Sequence, residues 1–489
     1  MFENLRLFFN RYIIHIALGV SLALAIFLRF KGLTFQSYWF DEIFSIKISN
    51  PNNSLGFVYT QTMGDVHPPL YQALLWGWYQ LFGFSEFAGR LLAMVGGSLG
   101  VFVLYLLGKE LYNKEVGVYA SFIGASNYFL ILYSQEVRSN IFLYLFSALS
   151  YLYFIKLLKN RSKINLSLYL LFSTLLIYTH YFGFFLVASQ VFVFIYYLIK
   201  DKEGRVSLLK LATISALLML IAISPLIHRI MEHIHTDNYW MEAPSALFFI
   251  DYLKAFVLSP FLQKIFLGLL VGVTLYTFID KKYKNSTIIL LIWVVMAFLV
   301  PYIKSITGFS ILIERSMIIV IPALILLLSY GIYLLRLNYI KVALLGAIVF
   351  LALYHLYRMG YYDKVKKDQF REILQAVEQR DSRLPVYDFI MHDLHDNRYE
   401  SHFFENYAQM IGSSVDIQPA LRLKEAYKNS TTPRCFWVIH AHKDFLYNAT
   451  ILHKEGMQKV LTIDKHQAQA LLYAYKTNPK ICLKDNYGQ

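Results

Sequence analysis

Long apolar runs separated by short polar loops dominate the chain up to residue 358. The runs lie at 12–30, 88–108, 115–133, 139–158, 166–180, 181–199, 207–228, 262–280, 286–303, 315–335 and 339–358. Most approach the roughly twenty residues a helix needs to cross a bilayer, which predicts about eleven transmembrane helices. The stretch 166–199 is too long for one crossing. It carries Tyr178-Thr179-His180-Tyr181-Phe182-Gly183 at its middle, so two helices are expected to meet there. After residue 358 the pattern becomes polar and mixed in charge. Residues 359–489 are expected to form a separate small α/β domain, with a helix near 368–379 and strands near 385–391 and 435–441.

One segment is ambiguous by pattern alone. Residues 68–82 (PPLYQALLWGWYQLF) are apolar and aromatic but short, open on two prolines, and keep Gln72 and Gln80. They suit either a span or a helix lying in the membrane interface. Charge decides between the two. If the segment does not cross, the loops 109–115, 156–163, 200–210, 281–284 and 336–341 share one side with Arg6 and Arg11, and all of them carry lysine or arginine. The opposite short loops are nearly bare of both. The positive-inside rule then places the N-terminus in the cytoplasm, the segment in the interface of a first outer loop 31–87, and the C-terminal domain outside.

Composition agrees. The chain has 489 residues, of which 57% are hydrophobic and only 16% charged. A soluble protein would carry about a quarter charged residues. The net charge of +14 does not imply a nucleic-acid partner, because the basic residues fall in the loops that orient a membrane protein. The N-terminus shows no cleavable signal; Arg11 precedes a run long enough to stay as an anchor. The only cysteines, Cys435 and Cys482, lie in the predicted outer domain, where an oxidising compartment would allow them to pair.

The same topology gathers the unusual polar residues at the outer boundary. These are Asp41 and Glu42, Asp65 and His67, Glu136 and Arg138, His180, and Glu314 and Arg315. Ionisable groups at a bilayer edge are costly unless paired or facing a wet cavity, so their concentration there suggests a site. Taken singly, several have plain structural explanations. Arg138 and Arg315 could snorkel from helix ends with Glu136 and Glu314 as neutralising partners, and His67 and His180 could be turn and interface residues. Asp41-Glu42, set between Tyr38-Trp39-Phe40 and Ile43-Phe44, is harder to explain that way.

The ordered set Trp39-Phe40-Asp41-Glu42, Gly64-Asp65-Val66-His67-Pro68-Pro69-Leu70-Tyr71, Arg90, Ser134-Gln135-Glu136-Val137-Arg138, Tyr178-Thr179-His180-Tyr181-Phe182-Gly183 and Glu314-Arg315 before Pro322 resembles the GT-C superfamily of integral-membrane glycosyltransferases. The nearest branch looks like the bacterial relatives of protein O-mannosyltransferases and of the lipid A aminoarabinose transferase. That resemblance implies a polyprenyl-phosphate sugar donor, an extracytoplasmic active site and acceptor, and a first-loop Asp, here Asp41, as catalytic base. Some members use a divalent cation and others do not; Asp41, Asp65 and His67 are the candidate ligands, and Asp65 and His67 equally suit orienting Asp41. Physical chemistry runs parallel: a base must take the acceptor proton, and guanidinium forks on Arg138 and Arg315 suit a leaving phosphate. Tyr71, Trp76 and Trp78 are candidate contacts for membrane lipid or the polyprenyl chain. A transporter or flippase of a lipid-linked sugar would also place charges in a membrane cavity, but usually near the midplane and with internal repeats, which are not seen. A non-catalytic assembly factor would leave Asp41-Glu42 unexplained.

Overall fold

The computed structural model describes residues 2–65, 67–234, 241–388, 403–441 and 456–483. The chain is a polytopic helical membrane protein, and every apolar run named above is helical. Among the described residues, eight helices are long and apolar enough to cross a membrane, or nine if a bent pair counts as one span. The expected division at His180 is present: one helix covers Lys163–Thr179 and the next Gly183–Lys200. Residues 68–82 form a helix over Leu70–Phe82, whose 13 residues are too few for a perpendicular crossing.

Three runs depart from a simple span. The run 115–133 is two helices, Lys114–Ser126 and Tyr128–Tyr133. They are separated at Asn127, whose side chain accepts from the Leu130 amide and donates to the Phe256 carbonyl. A side chain that offers the backbone an alternative partner ends one helix and caps the next. Helix Pro260–Tyr276 is bent by 116° from the preceding Phe248–Val257. Between them Leu258 takes a left-handed conformation, and Ser259 and Pro260 start the new helix. The run 315–335 opens as a 3-10 segment, Glu314–Val320, before continuing as helix Ile321–Tyr333. Carbonyls in that segment accept from side chains: Met317 from the Tyr252 hydroxyl and Ile319 from the Trp293 indole.

The chain divides into two compact units. One comprises Met1–Lys31, Tyr59–Leu74 and Leu91–Gly360, and holds most of the apolar helices. The other joins the tail, Tyr361–Gln489, to Gly32–Val58 and Leu75–Arg90 of the first loop. In this second unit the loop contributes helix Phe40–Ile48, which sequence periodicity did not reveal.

The tail is α/β, as expected. Its helix covers Phe370–Asp381, and strands β1 (Val386–Asp388), β2 (Ile417–Pro419), β3 (Cys435–Ala441), β4 (Met457–Lys465) and β5 (Ala468–Tyr475) form one sheet in the order β2-β1-β3-β5-β4. The expected strand 385–391 is seen to Asp388; the rest of it lies outside the described residues. β1 runs parallel to β2 and β3, while β5 runs antiparallel to β3 and β4. The central strands read as near-continuous apolar runs, and Phe436, Val438, Leu471 and Tyr473 are fully or almost fully buried. Edge strand β4 carries Lys459 and Lys465, charges of the kind that discourage further strand pairing. Cys435 and Cys482 form a disulfide, Cα atoms 5.5 Å apart, as the sequence suggested.

Candidate active site

In the helical unit the first fixed point is Arg29, fully buried near the end of helix Phe2–Phe30. Its guanidinium donates to the Gly124 and Ala125 carbonyls at 3.0 and 3.1 Å and to the Ser134 hydroxyl at 3.0 Å. Those carbonyls close helix Lys114–Ser126, where the helix dipole is negative, so the buried cation meets partial charge of opposite sign. Gly97 permits this approach: a Cβ there would lie 2.0 Å from the Ser134 hydroxyl oxygen. Gln135 adds two 2.8 Å bonds to the Arg29 and Lys31 carbonyls. Pinning Ser134 and Gln135 in this way fixes the exit of the segment that bears Glu136 and Arg138.

Several sequence-predicted residues of this unit converge. Asp65 and His67 share a 3.0 Å hydrogen bond, carboxylate Oδ2 to imidazole Nδ1. The His67 ring packs edge-on against His180, centroids 5.4 Å apart. His180 lies in the turn between two helices, and its pKa is held well below the usual histidine value, first by removal from water and then by His67, Arg315 and Arg138. The Tyr133 hydroxyl is within electrostatic reach of Glu136, Arg315 and Glu314, and Tyr252 within reach of Tyr133 and Glu314. His67, His180, Glu136, Arg138, Glu314 and Arg315 thus belong to one connected cluster, although they come from four separate segments. Such a cluster, with two guanidiniums and a histidine kept neutral, suits an anionic ligand. Tyr133 and Tyr252 were missed, because single tyrosines among 38 carry no local signal.

The second unit holds Asp41 and Glu42 at the start of helix Phe40–Ile48, with different environments. Glu42 is completely buried. Its carboxylate accepts from Arg90 Nε and Nη2 at 3.2 and 3.0 Å and from Lys367 Nζ at 2.9 Å. Arg90 also donates to the Leu33, Gln36 and Ser37 carbonyls and lies 4.7 Å over the Tyr38 ring. Beside it, Arg371 pairs with Glu86 at 2.6 Å, and Tyr38 stacks on Tyr407. Asp41 is half-buried. A lone arginine inside an apolar run demands a partner, so Arg90 was a usable signal for Glu42; Lys367, far along the chain, had none.

The aromatic candidates are mostly tied to protein groups. Tyr71 is buried and packs against Phe142, ring centroids 5.9 Å apart. Trp76 donates to the Asn53 carbonyl and Trp78 to the Ala88 carbonyl. Among the described residues no group of three or more His, Cys, Asp or Glu side chains is arranged to hold a metal ion.

An apolar helical body with a small α/β tail is a fold that this chain shares with solved structures. Residues 66–228 match the dolichyl-phosphate-mannose-protein mannosyltransferase family. The chain is similar to the crystal structure of ArnT from Cupriavidus metallidurans in the apo state, with 13% identity, TM-score 0.65, and coverage of 93% of this chain and 97% of that one. The same protein bound to undecaprenyl phosphate gives TM-score 0.63 at 13% identity and the same coverage. The archaeal oligosaccharyltransferase AglB from Archaeoglobus fulgidus, in complex with an inhibitory peptide and a dolichol-phosphate, aligns with TM-score 0.55 at 10% identity, covering 91% of this chain and 71% of that one. No curated protein matches the chain by sequence.

Proposed function

We propose that this protein is a membrane glycosyltransferase that moves a sugar from a polyprenyl-phosphate donor to a hydroxyl on an extracytoplasmic glycan, lipid or protein. The observation that carries the reading is the joining of Arg138 and Arg315 with His67 and His180 in one cluster of the helical unit. The undecaprenyl phosphate and dolichol-phosphate bound by the structural relatives supply a donor class that fits such a cluster.

The proposed reaction is a single displacement. Asp41 takes the proton from the acceptor hydroxyl, the acceptor oxygen bonds to the anomeric carbon, and the bond from that carbon to the phosphate oxygen breaks. Polyprenyl phosphate leaves as an anion whose charge Arg138 and Arg315 balance, and the anomeric configuration inverts. The occupation of Glu42 by Arg90 and Lys367 favours Asp41 over its neighbour as base. The outward orientation of the tail belongs to the same proposal; the lysine and arginine asymmetry of the loops and the Cys435–Cys482 disulfide support it.

Asp41→Asn keeps shape and hydrogen-bonding reach but removes the charge. We expect a folded, inserted protein that still binds donor and transfers at least about a hundredfold more slowly. Purified protein with polyprenyl-phosphate sugars, scored for sugar release and transfer, is the assay. Turnover of Asp41→Asn at the wild-type rate would remove the base assignment. Translocation of the lipid-linked sugar between leaflets without cleavage would identify a flippase.

A further inference from the structure

At the far end of helix Gly183–Lys200 from His180 lies a second feature that the proposed chemistry does not use. The helix has 18 residues, so its ends are separated by about 27 Å at 1.5 Å per residue. At the distal end a cleft of about 550 Å³ is lined by Lys200, by Phe278, Ile279, Asp280, Lys281 and Lys282 of the loop after helix Pro260–Tyr276, and by Lys284 and Asn285 opening helix Lys284–Thr307. We infer that this cleft binds the phosphate headgroup of an anionic phospholipid, on the membrane face opposite the catalytic cluster.

Four ammonium groups face one carboxylate, and that carboxylate is already engaged. Asp280 accepts from the Lys282 and Tyr283 amides, each at 2.9 Å, and from the Tyr330 hydroxyl at 2.6 Å. No carboxylate stands within ion-pair distance of any of the four lysine side chains among the described residues. Asn285 Oδ1 accepts from the Tyr196 hydroxyl at 2.8 Å and from Lys200 Nζ, which holds that ammonium at the cleft wall. Lys282 lies 4.8 Å over the Tyr283 ring. Lys200 and Lys282 are therefore held by neutral partners, and among the described residues no ion pair cancels the charge of any of the four.

The apolar half of the lining favours a lipid over a soluble phosphate. Phe278 is 78% exposed and Ile279 71% exposed, directly beside Lys281 and Lys282. Lys200 and Lys284 terminate helices long and apolar enough to span. Two large apolar side chains and a ring of lysines at a span boundary match acyl chain and headgroup together. Basic pockets between helices at the cytoplasmic boundary are a recurrent solution for anionic lipid, and the proposed topology puts these loops on that side.

The test is native mass spectrometry of the full-length protein titrated with phosphatidylglycerol, for wild type, K281Q/K282Q/K284Q, and the control K163Q/K202Q/K210Q. The control removes equal charge from exposed lysines outside the cleft. We expect apparent affinity to fall at least about tenfold in the first triple and to stay at the wild-type value in the control. Equal weakening in both would mean diffuse attraction, and no weakening in the first would exclude the site. Displacement of bound lipid by millimolar inorganic phosphate would make it a site for a soluble anion and overturn the proposal. Should the first triple fail to fold, wild type alone decides the matter. Amide exchange over residues 278–285 should slow in nanodiscs containing phosphatidylglycerol relative to pure phosphatidylcholine, and unchanged exchange would refute it.

Discussion

Replacing Glu42 with Gln should destabilise the protein far more than so conservative a change usually does. Glu42 is 0% exposed and its ion-pair partner Arg90 only 1%, so neither can turn to water when the pair is broken. The carboxylate accepts three charge-assisted hydrogen bonds, two from Arg90 and one from Lys367. An amide keeps one acceptor oxygen and turns an NH2 group toward a donor. Arg90 retains its carbonyl partners at Leu33, Gln36 and Ser37 but loses its buried countercharge in Glu42. Breaking a buried ion pair by removing one partner costs about 3–5 kcal/mol. We take the lower half of that range, about 3–4 kcal/mol, because the carbonyls still solvate the guanidinium. Thermal unfolding in detergent, with local amide exchange over Gly32–Val58, measures it. The double variant Glu42→Gln/Arg90→Met should be less destabilised than the two singles added, because the fully buried guanidinium that Glu42→Gln leaves without its countercharge is then absent. A Glu42→Gln protein within about 0.5 kcal/mol of wild type would refute the reasoning, since that is the range of ordinary surface changes. Simple additivity in the double variant would refute it as well.

Arg138→Ala and Arg315→Ala should each weaken donor use, and lysine should rescue poorly where the contact is a bidentate fork; normal turnover of both alanine variants at low donor concentration would mean that they only snorkel. His440, buried on β3, has its pKa pushed down to about 4 by burial. An unfolded chain binds this proton near the free value of about 6.5, so stability contributed at neutral pH is lost as pH falls from about 6.5 to 4, by roughly 3 kcal/mol in full. Amide exchange of Cys435–Ala441 should therefore accelerate on acidification in wild type, and less so in His440→Gln. Removing the disulfide opens a loop spanning 47 residues of sequence separation, for which chain entropy predicts a loss of about 4 kcal/mol. A Cys435→Ala/Cys482→Ala protein should show faster exchange in β3 and β5 while helix Asn140–Lys159 is unaffected.

Apolar length and cysteine position are local properties, and they determined a good deal by themselves. The bilayer sets the length of a span, so the apolar runs and the division at His180 are legible without any contact information. A polar tail must build its own core, and its first helix and the strands at 386 and 435 show in the pattern for that reason. Two cysteines confined to that tail left one intramolecular pairing. Breaks within spans needed the tertiary structure, because Asn127 ends a helix by virtue of a carbonyl on Phe256 that only folding brings to it. Helix Phe40–Ile48 was invisible for a similar reason: its buried face packs against tail helix Phe403–Ile411, and Asn50, just past its end, donates to Asn406 and Gln409. Adjacent acids look alike in a sequence. Folding separated Glu42 from Asp41 by surrounding one with Arg90 and with Lys367, 325 positions away. Desolvation and charge pairing act through space, and no local pattern encodes which distant cation arrives.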